Sequence, residues 1–134
     1  MPTALIEVKT SSRCGMIDLT QRVRAAVREA GVQAGLCVVY VPHTTAAITV
    51  NEHADPDVAR DIVRTLGGLV PHRGDYAHGE GNADAHIKAA LMGNSRVVPL
   101  DGGAPLLGTW EGIFLCEFDG PRTRHVHVTV IADK

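Results

Sequence analysis

The sequence predicts an α+β fold, namely a largely antiparallel β-sheet or sandwich with about three helices packed on it, in one domain spanning residues 1–134. Three observations predict it. Several short segments are rich in β-branched and apolar residues, the last of them alternates valine with polar residues, and three other segments carry apolar residues at helical spacing between capping residues. A chain of this length can bury about two-thirds of its unfolded surface. It therefore needs neither disulfides nor a structural metal merely to fold.

Strands are predicted where apolar residues alternate with polar ones or run together over a few positions, at residues 5–10, 36–41, 44–50, 95–100, 113–118 and 124–131. Pro42 stops the second strand, because it has no N–H group for a strand ladder. We expect the second and third strands to pair, and residues 119–122 to form a hairpin loop between the last two. These pairings favour an antiparallel sheet with helices on one face.

The first two helices have recognisable ends. One is predicted from Asp18 or Thr20 to Ala30, with Gly31 as the left-handed residue that ends it. The other opens at Asp55-Pro56 and is expected to end at Gly67-Gly68. Its core-facing residues are predicted to be Val58, Ile62, Val63 and Leu66.

The third helix follows an irregular, histidine-bearing stretch at residues 71–81, and loops of this kind in compact domains tend to be functional or disordered. Asn82 or Asp84 is predicted to cap the helix and Gly93 to end it. His86 then lies in the first turn. The predicted apolar face consists of Ile87, Ala90 and Leu91.

Composition excludes several classes of function. A net charge of −2 gives no basic face for nucleic acid. No apolar run approaches the ~20 residues of a membrane helix, and the first residues lack the pattern of a signal peptide. The three cysteines, Cys14, Cys37 and Cys116, fit no C-x-x-C pattern. We therefore expect a cytoplasmic protein with neither nucleic acid nor membrane as a partner.

Seven histidines are unusual for so short a chain. His43 lies at a corner between strands, His78 in the irregular loop and His86 at a helix start, and three such imidazoles suit a catalytic zinc site with one open position. The alternative is that each is a surface or helix-terminal histidine, since no short metal motif is present. His125 and His127 form an H-x-H pair opposite the valine face, which we interpret as a solvated or subunit-contacting surface rather than a second metal site.

Carboxylates and arginines provide the other candidate groups. Glu117 lies in an otherwise apolar strand, so it is either an inward-facing catalytic carboxylate or the partner of Arg122 or Arg124. Glu52 is a candidate acid–base group or a support for a metal-binding histidine. The two arginines, together with Thr44 and Thr45, suit a phosphate or carboxylate. Two arginines after a turn are, however, often only exposed charge.

Six segments together resemble the YjbQ family over nearly the whole chain. They are V-P-H-T-T-A-A-I at 41–48, N-E with D-P at 51–56, Y-A-H at 76–78, N-A-D-A-H-I at 82–87, G-T-W-E-G-I at 108–113 and D-G-P-R-T-R at 119–124. The resemblance implies a compact α+β fold that assembles as a homotrimer, with a metal-bearing pocket near the subunit contacts.

The resemblance also implies particular site residues. The three family histidines fall on His43, His78 and His86, and the arginine-bearing hairpin falls on Arg122 and Arg124. Thr44, Thr45, Asn82 and Trp110 lie in the shared motifs and are the implied substrate-binding residues. Where the family usually has Gln, this chain has Glu111, which would add negative charge if it faces the pocket.

The family is named for a secondary thiamine-phosphate synthase activity, which joins hydroxymethylpyrimidine diphosphate to thiazole phosphate with loss of pyrophosphate. The first hypothesis is therefore a metal-dependent enzyme acting on a phosphorylated small molecule. Imidazole ligands favour zinc, although a diphosphate substrate also suits magnesium. The second hypothesis is a non-catalytic trimeric module that binds a metal or an anion. The third is that the histidines bridge subunits structurally.

Overall fold

The computed structural model describes residues 2–134, which form two antiparallel sheets and three helices. The helices are α1 (Thr20–Ala30), α2 (Pro56–Leu69) and α3 (Ala83–Met92). The strands are β1 (Thr3–Lys9), β2 (Gly15–Asp18), β3 (Gly35–Tyr40), β4 (Ala46–Glu52), β5 (Ser95–Asp101), β6 (Ala104–Pro105), β7 (Glu111–Glu117) and β8 (Thr123–Ala132). The α+β fold predicted from the sequence is thereby confirmed.

The main core lies between the two sheets. The larger sheet has the order β1-β8-β3-β5-β6 and the smaller one β2-β7-β4. β8 alternates as predicted, and its residues Val126, Val128 and Val130 are buried against Ile48 and Leu115 of the smaller sheet. α1 completes this core through Leu19, Val23 and Val27, which are fully buried.

Helices α2 and α3 cover the other face of the smaller sheet. A second buried cluster forms there from Ala47 and Cys116 of the sheet together with Ala85 and Ala89 of α3. Small side chains let α3 approach β4 closely, and α2 packs mainly on β2. The order of the layers is therefore larger sheet, core, smaller sheet and helices.

Both predicted hairpin pairings are wrong. β3 pairs with β5 and β8, whereas β4 pairs with β7, so the two middle strands lie in different sheets. β7 and β8 likewise belong to different sheets, so residues 119–122 connect the sheets and form no hairpin. Strand patterns report burial on a face, and both sheets of a sandwich offer the same buried environment. β2 and β6 are additional strands that the sequence did not predict.

Helix α2 differs from its prediction at its end, and its predicted face is less deeply buried than expected. It continues through Gly67-Gly68 to Leu69, and the Val70 N–H closes its last turn on the Leu66 carbonyl. Neither glycine has a positive φ, so neither ends the helix in the expected way. The four residues predicted to face the core are only half-buried, and none of the helix's residues is fully buried.

Helix α3 presents the opposite face from the one predicted. Ile87 is 40% exposed and Leu91 65% exposed, while Asp84 and Lys88 are buried. Arg13, in the loop before β2, forms a bidentate ion pair with Asp84 at 3.0 and 3.1 Å, and the Lys88 Nζ lies 2.9 Å from the same carboxylate. A charged residue can be buried when it is paired in this way. The ion pairs therefore determine which side of the helix faces inward.

Within residues 2–134, no helix packs on the outer face of the larger sheet. This face carries exposed apolar side chains from β1, which lies on one side of β8, and from β3 and β5, which lie on its other side: Leu5, Leu36, Tyr40 and Val97. His125 and His127 lie half-buried on the same face, opposite the buried valines of β8, as the alternation predicted. An apolar surface of this kind often marks a protein contact.

Gly35 at the start of β3 is a position where only glycine fits. Its φ is +149°, and a Cβ atom there would lie 2.0 Å from the Ile131 carbonyl oxygen. We expect Gly35→Ala to lower the free energy of unfolding by at least about 2 kcal/mol, because strain and a backbone clash add. Urea unfolding measures this. The control is Gly67→Ala, in open helical space, which we expect to be neutral or slightly stabilising. Equal effects of the two substitutions would contradict the prediction.

Candidate functional site

His43 lies in the connection between β3 and β4 and is held by β8. Its Nε2 accepts a hydrogen bond from the His125 backbone N–H at 3.1 Å, and the two imidazoles stack with centroids 6.2 Å apart. Burial lowers the pKa of His43, and the nearby charge of Arg124 lowers it further. The ring is therefore neutral at pH 7 with its proton on Nδ1. A metal ion would have to displace either that proton or the backbone hydrogen bond.

His86 and His78 form a second pair of neighbouring imidazoles. His86 is in the first turn of α3, as predicted, and its ring centroid is 5.3 Å from that of His78 in an edge-to-face arrangement. The His78 Nε2 also lies 3.6 Å from a carboxylate oxygen of Glu80. Two imidazoles at this separation can converge on one cation after small rotations of their rings.

Two adjoining pockets link the three histidines. His43 and His86 line one pocket of about 420 Å³ together with Thr44 and Asn94. His86 and His78 line another of about 430 Å³ together with Tyr76. Within residues 2–134, however, no three His, Cys, Asp or Glu side chains are grouped closely enough to hold a metal ion. A single chain thus brings the predicted ligands into one region without completing a site.

Glu117 and Arg124 form a buried ion pair between the sheets. Glu117 is 1% and Arg124 3% exposed. The carboxylate accepts from Arg124, from the Thr10 hydroxyl at 2.8 Å and from the Asp119 N–H at 3.0 Å. Although burial acts to raise it, these hydrogen bonds hold the pKa of Glu117 below its ordinary value. Glu117 therefore faces inward and is also the partner of Arg124, so both parts of the prediction describe its position.

Thr45, a predicted substrate-binding residue, also belongs to this buried pair. Its hydroxyl accepts from the Arg124 Nη2 at 2.8 Å and its carbonyl from the same atom at 3.3 Å. Arg124 and Thr45 are thus buried and bonded to each other, away from solvent. Thr44, by contrast, is exposed and faces the pocket of His43 and His86.

Arg122 and Asn82 meet at Asp119, at the N-terminal end of α3. Arg122 is half-exposed and donates to an Asp119 carboxylate oxygen at 3.0 Å, and the Asn82 amide donates to the same oxygen at 2.8 Å. The Asn82 Oδ1 is buried without a hydrogen-bond partner in the described residues. An unpaired acceptor of this kind is suited to a donor group of a ligand or a water molecule.

Glu52 and Trp110 are not brought to the histidine pockets. Both lie beside the C-terminal end of β4, whose length separates them from His43 by about 20 Å. Glu52 accepts from the N–H groups of Ala54 and Asp55 there, and Trp110 is 63% exposed. Glu111 lies opposite Glu52 and accepts from the Gly108 N–H, so its charge lies away from these pockets as well.

Two polar groupings escaped prediction from the sequence. One is the Arg13–Asp84–Lys88 cluster, for which the i,i+4 spacing of Asp84 and Lys88 on a predicted helix was the available signal. The other is a pair between His53 and Asp18, whose Nδ1 and Oδ2 atoms lie 2.9 Å apart. These two residues are far apart in the chain, and no local pattern connects them.

None of the helices in residues 2–134 combines the length and apolar character needed to cross a membrane.

Two of the three cysteines, Cys37 and Cys116, are free and buried, and burial raises their thiol pKa values to about 11 and about 12. Neither is therefore suited to act as a nucleophile.

Comparison with known proteins places this geometry in a family. Residues 4–133 match the model of the family described as UPF0047 protein YjbQ-like. The UPF0047 protein MJ1081 of Methanocaldococcus jannaschii is 49% identical over 96% of this chain and 93% of its own length. The UPF0047 protein YugU of Bacillus subtilis is 45% identical over 94% of this chain and 96% of its own.

Solved structures agree with this assignment. A crystal structure of an uncharacterised conserved YjbQ/UPF0047 protein from Clostridium acetobutylicum has a TM-score of 0.94 and 52% identity, covering 96% of this chain and 99% of that one. A protein of unknown function from Sulfolobus solfataricus has a TM-score of 0.94 and 34% identity, covering 98% and 96%. The chain therefore belongs to the YjbQ-like UPF0047 family, and its sandwich is the fold of that family.

Proposed function

We propose that the protein is a metal-dependent enzyme acting on a phosphorylated small molecule, with thiamine-phosphate synthesis as the named candidate reaction. The observation that carries this proposal is the placement of His86, which lies beside His78 in one pocket and lines the adjoining pocket together with His43. Three imidazoles from a corner, a loop and a helix start suit zinc better than magnesium, which prefers oxygen ligands.

The ligand set is incomplete in one chain, so we propose that association completes it. Ile87 and Leu91 are exposed on α3 next to His86, and a second exposed apolar surface covers the outer face of the larger sheet. Burial of such surfaces would stabilise an oligomer. We propose a homotrimer whose subunit contacts lie beside the histidine pockets.

Phosphate would be bound by the residues that remain accessible. Arg122 is half-exposed and lies close enough to His43 to lower the pKa of that ring. Thr44 lines the same pocket as His43, and its hydroxyl can donate to a phosphate oxygen, whereas the buried Asn82 Oδ1 is an acceptor and suits a donor group of the ligand instead. Arg124 is committed to Glu117 and Thr45, so we assign it to positioning the β8 backbone near His43 rather than to a phosphate clamp.

One observation favours the alternative, a non-catalytic trimeric module that binds a metal or an anion. Glu117 and Arg124 neutralise each other, and Asp119 is occupied by Arg122 and Asn82, so neither carboxylate is free to act as an acid or a base beside the histidines. Stoichiometric metal without turnover of hydroxymethylpyrimidine diphosphate and thiazole phosphate, or of other phosphorylated substrates, would support the module. Trimer dissociation on chelation would instead indicate that the histidines bridge subunits.

Replacing His86 tests the proposed site. We expect His86→Ala to lower zinc affinity at least about 100-fold, because it removes the imidazole common to both pockets. Elemental analysis measures bound metal, light scattering the mass in solution and circular dichroism the fold. The matched control is His72→Ala, in the same loop as His78 but lining neither pocket, which should retain the metal. Full occupancy in His86→Ala with an intact fold would disprove the ligand assignment.

A further inference from the structure

A second cleft, of about 460 Å³, lies between the smaller sheet and α2. Its walls include Met16, Val63 and Phe114, and His53 with Asp18 lies at one side. It shares no lining residue with the two histidine pockets, and its residues Glu52 and His53 lie at the opposite end of β4 from His43. Any ligand here would therefore be independent of the proposed metal site.

His53 is held in a defined orientation. Its backbone N–H donates to the Trp110 carbonyl at 2.9 Å. Its ring lies against the backbone of Gly112, where an added Cβ atom would be 2.4 Å from the His53 Nδ1. The Nδ1 faces the Asp18 carboxylate at 2.9 Å. The ring has therefore little freedom to rotate, and Gly112 is required for it to lie there.

Asp18 is itself fixed by the start of α1. Its Oδ1 accepts from the Thr20 N–H at 2.9 Å and from the Thr20 hydroxyl at 2.5 Å, and that hydroxyl accepts from the buried Ile113 N–H. Although burial acts to raise it, the hydrogen bonds from Thr20 and His53 hold the pKa of Asp18 below its ordinary value. Because an ionised carboxylate can only accept, Nδ1 of neutral His53 carries the proton and Nε2 keeps its lone pair.

The Nε2 atom makes no hydrogen bond within the described part of the chain, and the His53 side chain is 26% exposed at the edge of the cleft. An oriented imidazole with a free lone pair next to an apolar wall is suited to accept a hydrogen bond from a ligand. The oriented pair and the cavity together make this a binding site rather than a surface depression.

The charges of the cleft select the kind of ligand. Arg60 and Arg64 at its rim each have their own exposed carboxylate, Asp57 and Asp61 respectively, on α2. The carboxylates of Glu52 and Asp55, which also line the cleft, accept hydrogen bonds only from backbone N–H groups, at N···O distances of 2.7 to 3.2 Å. Neither forms an ion pair within residues 2–134. The charge left without an ionic partner is therefore negative, which favours a cation.

We propose that this cleft binds a small amine carrying an aromatic or aliphatic group, with the ammonium donating to His53 Nε2 near Glu52 and the apolar group against Met16, Val63 and Phe114. The apolar group supplies affinity by burial, and the histidine and carboxylates supply selectivity for the positive charge. The site is separate from the proposed function, so either can fail without the other.

Three indole compounds, whose short side chains end in a cationic, a neutral or an anionic group, test the proposal on the full-length protein. Tryptamine is the cation, tryptophol the neutral analogue and indole-3-acetate the anion, and backbone amide NMR shifts report both location and affinity. We expect tryptamine to bind one equivalent per chain, with shifts at residues of the cleft, at least about tenfold more tightly than tryptophol and more tightly still than indole-3-acetate. Equal affinities for the three compounds, or no binding of tryptamine at millimolar concentration, would overturn the proposal.

The variant Asp18→Asn tests the role of His53 directly. Its amide keeps an oxygen for Thr20 but turns an N–H₂ group toward His53, so the ring should move its proton to Nε2. Ring ¹⁵N spectra report this change directly, and tryptamine affinity should fall at least about tenfold. Asp101→Asn, which makes the same charge change in the distant β5–β6 turn, should leave affinity unchanged. Unchanged affinity in Asp18→Asn with the altered ring spectrum would refute the role of His53.

Ala59→Leu fills the cleft without changing charge and should weaken all three compounds together. Persisting tryptamine binding in this variant would place the compound elsewhere. If a second copy of the chain covers the cleft, its amide signals will depend on protein concentration and tryptamine will not shift them, which also overturns the proposal.

Discussion

Glu117→Ala is expected to lower the free energy of unfolding by about 3 to 5 kcal/mol, because it leaves the Arg124 guanidinium buried between the sheets without its anion. Arg124 would retain only the Thr45 hydroxyl and carbonyl as acceptors. A lost hydrogen bond alone costs about 1 kcal/mol, so the unpaired charge accounts for most of the effect. Urea unfolding with linear extrapolation measures it.

Two controls separate the buried charge from its surroundings. Asp57→Ala removes one member of an exposed ion pair on α2 and should change stability by less than about 1 kcal/mol. The double variant Glu117→Leu with Arg124→Met replaces the buried pair by apolar side chains and should recover most of the lost stability. A loss below about 1 kcal/mol in Glu117→Ala would show that the pair is not buried in solution.

Asp84→Asn is the second substitution with a large expected effect, again about 3 to 5 kcal/mol of lost stability. It keeps the shape of the side chain but removes the only carboxylate that contacts Lys88 among residues 2–134, and Lys88 is 3% exposed. Arg13 is partly exposed and can be solvated, so the cost comes mainly from Lys88. Adding Lys88→Met to Asp84→Asn should recover much of the stability, and the exposed control Asp101→Asn should have almost no effect.

The same carboxylate predicts the acid sensitivity of the fold. Although burial opposes it, hydrogen bonds from Arg13 and Lys88 lower the pKa of Asp84 to about 2. A carboxyl whose pKa is lower in the folded state stabilises the fold above its unfolded pKa of about 3.9, and this stability is lost as the pH falls toward 2. The shift corresponds to about 2.5 kcal/mol. Urea midpoints between pH 5 and pH 2 should fall accordingly, and less steeply in Asp84→Asn; parallel slopes would contradict this.

The fold and the candidate site were predictable to different extents. Strand and helix positions followed from periodicity, and Gly31 ends α1 with φ of 71° as expected. The face of α3 did not follow, because its buried side consists of Asp84 and Lys88 flanked by alanines, a pattern that hydropathy alone assigns to solvent. Burial of that side depends on Arg13, a residue distant in sequence, so local spacing carried no information about it.

The site shows the same division. Position in the chain singled out His43, His78 and His86, and the structure brings His86 to pockets lined by each of the other two. The orientation of the His43 ring depends on a partner that lies far along the chain, because the His125 backbone N–H holds it. The distance of Glu52 from these histidines likewise follows from the length and direction of β4, which no local motif records.

By itself, the sequence determined the approximate positions of the three helices and of six of the eight strands, the alternation of β8, the loop that carries His78 and the family motifs, because each of these depends on neighbours within a few residues. Only the tertiary structure decided which strands share a sheet, which face of α3 is buried and which charges are paired. Hydrophobic patterning specifies that a face is buried but not by what, whereas buried ions are tolerated only beside a particular partner. The sequence left Arg122 and Arg124 open as partners of Glu117, so the structure was needed to select Arg124 and to identify the Asp84–Lys88 pair.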